Sequence, residues 1–390
     1  MQGTAVRYGK EATAVSISDK LTTEEIYLAK KYAETIAKAG TVFSFNYTKN
    51  GVKEVIGSDC STCAKDEILS TNVILLIGTD IMNDHASFGV KIRQAVKRGA
   101  KLIVVNNKPE SQEAQEADLY INSESTESLK AILKALCDKG AKAEGLEELN
   151  TSLNGVTVTE EAEKAASMLL DAKNKKAVVI IDQFNTTYEA SKAAADIAVL
   201  SGHIGSPRNG IIQIKANANS QGLVDLGITP VCDVKENIEN GTIKALFVIG
   251  EDPAELNTDS MEFLAVADMY LTETANKADV VLPLVSLAES NGTVISMDGA
   301  VNSVKAAVKP MAETNINTIL SVANAMKINF NYADEKEVMR EIVETKALLN
   351  RVFNPVLKAV DNAPIYKDRV NTSIAYKNFL NTLEAEGLIK

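Results

Sequence analysis

Tryptophan is absent from this chain of 390 residues, and aromatic residues make up only 5% of it. Single-stranded nucleic acids bind largely by stacking their bases on aromatic rings, so little surface for such binding is expected. Acidic residues outnumber basic ones by 52 to 41, which gives a net charge of −11 at pH 7. An acidic surface repels phosphate backbones and anionic lipids. Neither a nucleic acid nor a membrane surface is therefore an expected partner.

Long hydrophobic runs are also lacking. No apolar stretch reaches the roughly 20 residues that a membrane-spanning helix requires. The first fifteen residues, MQGTAVRYGKEATAV, contain no apolar segment of the kind found in signal peptides. We expect a cytoplasmic protein that is not inserted in a membrane and that reaches one only through a larger complex.

Cysteine is scarce, with four copies. Cys60 and Cys63 form a CxxC pair, whereas Cys137 and Cys232 are isolated. One CxxC supplies only two of the four ligands of a structural zinc or iron–sulfur site, and the same spacing suits a redox dithiol. Because disulfides are rare in cytosolic proteins, we interpret the pair as reduced cysteines and expect no metal site.

Several motifs of catalysis and nucleotide binding are missing. The chain has no G-x-G-x-x-G after a strand, no G-x-x-x-x-G-K-[ST], no H-E-x-x-H and no G-x-S-x-G. Its two histidines, His85 and His203, lie at the ends of predicted helices, where histidine usually serves as a cap or surface residue. The residues alone therefore identify no catalytic group.

The chain does contain a regular alternation of apolar strands and amphipathic helices. VILLIG at 73–78 and ALFVIG at 245–250 have no charged residue, which is typical of strands buried on both faces of a parallel sheet. Thr22 and Glu25 have the spacing of a helix capping box, and MYLTET at 269–274 predicts a further strand. Repeated βαβ units of this kind predict doubly wound parallel sheets covered by helices.

Glycine followed by acidic residues ends two of the predicted strands. Gly78 precedes Thr79 and Asp80, and Gly250 precedes Glu251. Glycine allows close approach of a ligand to the backbone, and a carboxylate suits ribose hydroxyls, so the pair indicates a nucleotide-like site. A turn with an acid at the start of the next helix is the alternative.

Five stretches in chain order resemble motifs of the molybdopterin oxidoreductase superfamily, which includes formate dehydrogenases and the large iron–sulfur subunit of NADH:quinone oxidoreductase (complex I). They are RYGKEATAVSISDKLTTEEIYLAKKYA from residue 7, NVILLIGTDIMNDHASFGVKIRQAVKRGAKLIVVNNKPE from 72, LSGHIGSPRNGIIQIKANANSQGLVDLGITP from 200, IKALFVIGEDPA from 243 and LTETANKADVVLPLVSLAESNGTVISMDGAVNSVKAAVKP from 271. The resemblance implies an α/β protein with two doubly wound parallel-sheet domains, as in formate dehydrogenase and DMSO reductase, one inserted in the other.

The resemblance also implies domain limits. The host domain would combine residues 1–39 with 218–330, the inserted Rossmann-like domain would span 40–217, and residues 331–390 would form a helical carboxyl-terminal tail. IKANAN, from residue 214, would lie at the crossing between the two α/β domains. The family's cysteine-rich amino-terminal domain and its carboxyl-terminal β-barrel have no counterpart in the sequence.

Several functional positions of the family are altered. The stretch at 43–59, FSFNYTKNGVKEVIGSD, lacks the metal-binding Cys or selenocysteine and the His that follows it in formate dehydrogenases. Lys215-Ala216 replaces Arg-Gly, and Asn107 replaces the acid that would hold a guanosine ribose. Residues 124–127, Glu-Ser-Thr-Glu, replace the Pro-Gly-Thr-Asp of a cofactor loop.

These departures lead to the expectation of a molybdenum-free domain in a complex I-type NADH dehydrogenase subunit. It would be a structural scaffold for iron–sulfur and NADH-oxidising domains or subunits, with no cofactor and no catalytic residue of its own. The alternatives are a fragment of a formate dehydrogenase-like enzyme that binds molybdopterin guanine dinucleotide, and a nucleotide-binding module. Whether the chain is an enzyme stays open. The candidate cofactor-binding positions are Gly78, Asp80, Asn107, Lys215, Asn217, Asn219, Gly250 and Glu251.

Overall fold

Two parallel β-sheets form the centre of the molecule. The structure, a computed structural model, describes residues 1–123, 125–172, 176–204, 208–232, 234–345, 347–348 and 358–359. Its strands are β1 Thr13–Ile17, β2 Thr41–Ser44, β3 Val73–Ile77, β4 Lys101–Asn106, β5 Leu119–Asn122, β6 Ala143–Glu144, β7 Ala177–Asp182, β8 Gly210–Ile214, β9 Thr229–Pro230, β10 Ala245–Ile249, β11 Phe263–Asp268, β12 Val280–Pro283, β13 Gly292–Ile295, β14 Val301–Val304 and β15 Lys358–Ala359.

The first sheet has six strands in the order β12-β11-β10-β1-β2-β9, and the second has five in the order β5-β4-β3-β7-β8. All neighbouring strands in both sheets are parallel. Two short antiparallel pairs, β13 with β14 and β6 with β15, lie outside them. This arrangement confirms the predicted α/β fold with two doubly wound parallel sheets.

Helices connect the strands and cover the sheets. They are α1 Gln2–Tyr8, α2 Thr23–Tyr32, α3 Val52–Ile56, α4 Ile81–Asp84, α5 Ala86–Lys97, α6 Gln112–Glu116, α7 Ser125–Asp138, α8 Leu146–Ser152, α9 Glu160–Asp171, α10 Tyr188–Leu200, α11 Ser220–Asp225, α12 Val234–Glu239, α13 Glu273–Asn276, α14 Asn315–Ala325 and α15 Glu335–Glu344. No helix in these described ranges is long and apolar enough to cross a membrane.

Each sheet is buried on both faces, as the apolar strands predict. Successive residues of β3 illustrate this, because Leu75 packs in one apolar cluster and Leu76 in another. In the first sheet, Ala14 and Val15 of β1 likewise belong to clusters on opposite faces. Residues of a strand alternate between the two faces of its sheet, so a strand without polar residues requires helices on both sides.

The start of α2 has the predicted capping box. Thr22 accepts a hydrogen bond from the backbone of Glu25, and the Glu25 carboxylate accepts one from the backbone of Thr22. The strand predicted at 269–274 is wrong. Strand β11 ends at Asp268, and α13 begins at Glu273, because Thr272 caps that helix with its hydroxyl.

One predicted domain limit places a strand in the wrong sheet. The limit at residue 40 assigns Thr41–Ser44 to the inserted domain, whereas this strand pairs with β1 in the first sheet. Helix α2 returns the chain to the adjacent position of the same sheet, as in any βαβ unit. We propose that the insertion begins after β2; the other domain limits stay predictions. Of the predicted tail, α15 packs against α2, and most of 349–390 lies outside the described residues.

Candidate functional site

Each sheet has a point where its strand order reverses, and open α/β sheets bind ligands outside the carboxyl ends of the strands at such points. In the second sheet this point lies between β3 and β7, and in the first between β1 and β10. Gly78 follows β3 and Gly250 follows β10, with φ of +74° and +72°. Glycine adopts this conformation without the steric cost of a Cβ atom. The two predicted glycine–acid turns therefore occupy equivalent places.

A cavity of about 810 Å³ opens at the carboxyl edge of the second sheet, and we call it the Gly78 cleft. Its lining residues come from the ends of β3, β4 and β5, the loop after β7, and the starts of α7 and α10. They are Gly78, Thr79, Asn106, Asn107, Lys108, Ser123, Thr126, Glu127, Lys130, Asn185 and Thr187. Ligand pockets typically enclose roughly 300–1,000 Å³. The size of the cleft therefore suits a nucleotide.

The lining of the Gly78 cleft has more basic than acidic side chains, although the protein as a whole is acidic. Lys108 and Lys130 contribute two ammonium groups to the lining, against the single carboxylate of Glu127. The first turns of α7 and α10 meet here, where the hydroxyls of Thr126 and Thr187 lie 3.1 Å apart. Helix amino termini present free N–H groups and a partial positive charge, which favour phosphate. The cleft can therefore bind an anionic ligand.

Two hydroxyls beside Gly78, one on the lining residue Thr79 and one just behind the lining, lack a hydrogen-bond partner among the described residues. They are Oγ1 of Thr79, which is 1% exposed, and Oγ1 of Thr186. A buried hydroxyl without a partner is costly, and a bound ligand is one way to satisfy it. A Cβ atom added at Gly78 would lie 2.7 Å from Thr186 Oγ1. The absence of a side chain at residue 78 therefore leaves room for the Thr186 hydroxyl beside the turn.

Asn106 holds the loop that carries Lys108 in place. Its Nδ2 donates to the carbonyl oxygen of Thr79 at 3.1 Å, and its Oδ1 accepts from the backbone of Lys108 at 3.0 Å. The neighbouring Asn107 is exposed and lines the cleft. Asp80 lies just outside the lining, with its Oδ2 atom 4.0 Å from Lys108 Nζ. The structure thus brings together three of the predicted positions, at residues 78, 80 and 107.

Lys215 lies elsewhere, in a buried ion pair with Asp59. The distance between Lys215 Nζ and Asp59 Oδ1 is 2.7 Å, and the side chains are 3% and 2% exposed. Asp59 also accepts hydrogen bonds from Tyr47 and Asn50, both at 2.8 Å. Burial raises the pKa of Asp59, but the Lys215 ammonium and these hydrogen bonds outweigh it and hold the pKa below its usual range. Lys215 therefore compensates a carboxylate of its own chain.

The asparagines of IKANAN connect loops of the protein. Asn217 Nδ2 donates to Asp19 Oδ1 at 2.9 Å. The buried Asn219 donates to the carbonyl oxygen of Leu21 and accepts from the backbone of Ile295, each at 2.8 Å. These bonds join the crossing to the loop before α2 and to β13. Both side chains have protein partners, so the geometry assigns them to holding the crossing in place.

Glu251 is buried at the reversal point of the first sheet. Its carboxylate accepts hydrogen bonds from the hydroxyls of Ser16 and Ser44 and from the backbone N–H groups of Phe45 and Asn46. The Ser44 contact measures 2.6 Å and the two backbone contacts 3.2 Å. Burial raises the pKa of Glu251 to about 7, although the four donors lower it.

The predicted site residues therefore form two groups. One lies at the Gly78 cleft. In the other, the crossing with Lys215 and Asn217 adjoins Glu251, because Asn46 donates both to Glu251 and to Asp19, the acceptor of Asn217. The reasoning from sequence missed Lys108, Lys130 and Thr187. Only their position in the chain could have identified them. Each lies just after a strand of the second sheet or in the first turns of a helix that follows such a strand. The two cysteines of the CxxC are buried and not joined by a disulfide. Within the described ranges, no three potential ligands gather to hold a metal.

Comparison with known proteins identifies relatives over most of the chain. A sequence profile of the family described as "Molybdopterin oxidoreductase" matches residues 1–320. The F420-dependent formate dehydrogenase 1 subunit alpha of Methanococcus maripaludis is 25% identical over 88% of this chain and 61% of its own length. Formate dehydrogenase H of Escherichia coli is 23% identical over 86% of this chain and 57% of its own length. The chain thus spans about 60% of the length of these relatives.

A solved structure shows the same fold. Acetylene hydratase from Pelobacter acetylenicus superposes with a TM-score of 0.66 at 16% identity, over 88% of this chain and 60% of that one. The resemblance to the molybdopterin oxidoreductases and the fold inferred from it are confirmed. The expectation that the chain carries no cofactor is contradicted, because the family and its formate dehydrogenase relatives point to binding of a molybdopterin cofactor. That expectation gave the altered positions at Lys215 and Asn107 too much weight.

Proposed function

Because this chain belongs to the molybdopterin oxidoreductase family, we propose that it is the cofactor-binding part of a formate dehydrogenase-like oxidoreductase. The Gly78 cleft would hold the nucleotide end of the molybdopterin cofactor. One observation carries this proposal: a nucleotide-sized cavity lined by two lysines lies at the reversal point of the second sheet. Formate dehydrogenase relatives favour this function over the molybdenum-free scaffold of a complex I-type subunit that the sequence suggested.

The residues of the cleft fit a dinucleotide in size, charge and hydrogen bonding. Lys108 and Lys130 would neutralise phosphate oxygens, together with the amino-terminal turns of α7 and α10. The unpartnered hydroxyl of Thr79, which lines the cleft, would donate to the ligand. Asn107 would donate its amide where the resemblance places an acid. The cofactor, when bound, supplies the redox centre, and the protein binds and orients it.

The Lys215 group would act at the crossing between the sheets. Asp59 accepts hydrogen bonds from Tyr47, in the loop after β2, and from Lys215, at the end of β8. The ion pair would therefore fix the chain where it passes from one sheet to the other. A fixed crossing would hold the Gly78 cleft in a constant position relative to the first sheet. This is a positioning role. Partner subunits that carry electrons, including iron–sulfur and NADH-oxidising ones, belong to the same proposal.

The experiment is to purify the whole chain, with any partner subunits, from a host that synthesises molybdopterin. Pterin is then extracted and measured by fluorescence, and molybdenum and tungsten are measured by elemental analysis. We expect pterin in stoichiometric amount. A protein that folds and contains neither pterin nor metal would overturn the proposal. If that protein still binds guanosine diphosphate, the alternative of a nucleotide-binding module is favoured.

A further inference from the structure

The loop between β7 and α10 lies between two cavities. Asn185 and Thr187 of this loop line the Gly78 cleft. Gln183 and Phe184 line a second cavity, which we call the crossing cavity because Lys215 also lines it. A ligand that extends from the Gly78 cleft towards the crossing therefore passes over this loop.

Phe184 presents an aromatic ring on the loop. It is 72% exposed, whereas the other phenylalanines that the structure describes are buried or half-buried. An exposed phenylalanine forgoes the stabilisation that removal of its ring from water would give. The flat face of such a ring can stack on a planar heteroaromatic ring. Phe184 is therefore placed to contact a ligand and contributes little to the core.

The backbone that carries Phe184 is held in place on both sides. Asp182, which is 1% exposed, accepts hydrogen bonds from the backbone N–H of Phe184 and from Nδ2 of Asn185, each at 2.9 Å. Towards the crossing, Nε2 of Gln183 donates to Oδ2 of Asp59 at 3.4 Å. A contact that is already ordered in the free protein loses little entropy when a ligand binds. The loop thus supports the exposed ring as a fixed surface.

The two cavities differ greatly in size. The Gly78 cleft has a volume of about 810 Å³, and the crossing cavity has about 20 Å³, which is room for roughly one water molecule. In a dinucleotide the two ring systems lie on opposite sides of the phosphates. When the cleft holds the guanosine end, the second ring system extends beyond the edge of the cleft. It is too large for the crossing cavity, so the loop at Phe184 is the surface left for it.

We propose that Phe184 is the side chain on which the pterin ring of the cofactor stacks. The inference rests on the proposed function of the Gly78 cleft and adds a residue that binds the other half of the same ligand. The chemistry recognised here is a planar fused heteroaromatic ring. Stacking uses the face of the ring and needs no charge from the protein, so Lys215 keeps its partner Asp59.

Two ligands separate the two halves of the cofactor: guanosine diphosphate, and molybdopterin guanine dinucleotide in its oxidised, fluorescent form. Their affinities are measured on the whole chain freed of cofactor, by calorimetry and by fluorescence titration. Phe184→Ala should weaken binding of the dinucleotide about tenfold, because it removes one stacking contact. It should change the affinity for guanosine diphosphate less than twofold, which also shows that the variant folds.

Two further variants make the comparison specific. Phe184→Tyr keeps the ring and should bind the dinucleotide within about threefold of wild type. Tyr8→Ala is the matched control, because it removes another exposed ring, which is bonded to Glu262 at the amino-terminal edge of the first sheet. This variant should bind both ligands as wild type does.

The remaining outcomes overturn the inference in distinguishable ways. Unchanged affinity for the dinucleotide in Phe184→Ala, or an equal loss in Phe184→Tyr, shows that no ring stacks on Phe184. A tenfold loss for guanosine diphosphate in Phe184→Ala places guanine there instead of pterin. In these cases the proposed function stands. Wild type that binds neither ligand overturns the proposed function, and the inference with it.

Discussion

Lys215 and Asp59 form an ion pair of 2.7 Å that is almost completely shielded from water. The two residues lie 156 positions apart in the chain, one at the end of β8 and the other in the segment between β2 and β3. Removal of water from both charges is costly, and the cost is offset by their attraction and by the hydrogen bonds from Tyr47 and Asn50. The pair therefore stabilises the crossing only while both partners are present.

Asp59→Ala should lower the free energy of unfolding by about 3–5 kcal/mol, because it leaves the Lys215 ammonium buried without a counter-charge. The double variant Asp59→Asn with Lys215→Met should lose less than this, since no charge remains buried. Urea denaturation followed by circular dichroism measures both. Lys134→Ala breaks an exposed pair with Asp138 and should cost less than about 1 kcal/mol. Equal losses of unfolding free energy in Asp59→Ala and Lys134→Ala would show that burial of the Asp59–Lys215 pair does not increase the cost of breaking it.

Gly78→Ala should lower both the free energy of unfolding and the affinity of the Gly78 cleft for its ligand. The residue has φ of +74°, and the new Cβ atom would lie 2.7 Å from Thr186 Oγ1. Gly99→Ala is the matched control, because its φ is +100° and no atom lies within 4 Å of the added Cβ. Both variants carry the backbone cost of about 1 kcal/mol. Only Gly78→Ala should also reduce affinity for guanosine diphosphate in calorimetry; an equal affinity in the two variants would contradict the assignment of the cleft.

The stability of the protein should depend on pH through Glu251. Burial raises its pKa to about 7 in the folded state, above the ordinary value near 4.3 that applies in the unfolded chain. The unfolded chain therefore releases this proton first as pH rises. Stability from this group is complete below pH 4 and falls between about pH 4 and 7, by at most about 1.4 kcal/mol per pH unit.

Glu251→Gln removes this proton and should reduce the pH dependence of the unfolding free energy in that range by the contribution of Glu251. Asp196 and Glu24, whose pKa values burial raises to about 7 and about 8, keep their own contributions. Urea titrations of wild type and variant at pH 4.5, 6 and 7.5 make the comparison. Glu239→Gln changes an exposed glutamate on α12 and should retain the wild-type slope. A Glu251→Gln variant with the same slope as wild type would show that Glu251 does not titrate between these values.

The alternation of apolar strands and helices was enough to predict two parallel sheets, because strands such as β3 have no polar residue and must be covered on both faces. The strand predicted at 269–274 does not exist in the structure. Tyr270 and Leu271 have side chains typical of strands, but they are exposed in the turn that leads into α13. The sequence suggested a turn with a carboxylate at both Gly78 and Gly250. It could not show that the carboxylate of Glu251 is buried and bonded to Ser16 and Ser44.

The positions of the charged groups depended on contacts that are distant in sequence. Lys215 looked like a ligand for an external anion, and its partner proved to be Asp59, which no local pattern connects to it. Nothing in the sequence distinguishes Lys130 from the other lysines of predicted helices. It lines the cleft because α7 begins at the edge of the second sheet, close to the start of α10. Pairing of helix ends across a sheet is a property of the fold.

The most direct test of a molybdopterin cofactor in the Gly78 cleft is native mass spectrometry of protein from a host that makes the cofactor. Wild type should carry a bound mass that matches a molybdopterin dinucleotide cofactor. The double variant Lys108→Ala with Lys130→Ala should lose that mass, while Lys134→Ala keeps it. Wild type without a bound mass, or a double variant that retains it fully, would contradict the account.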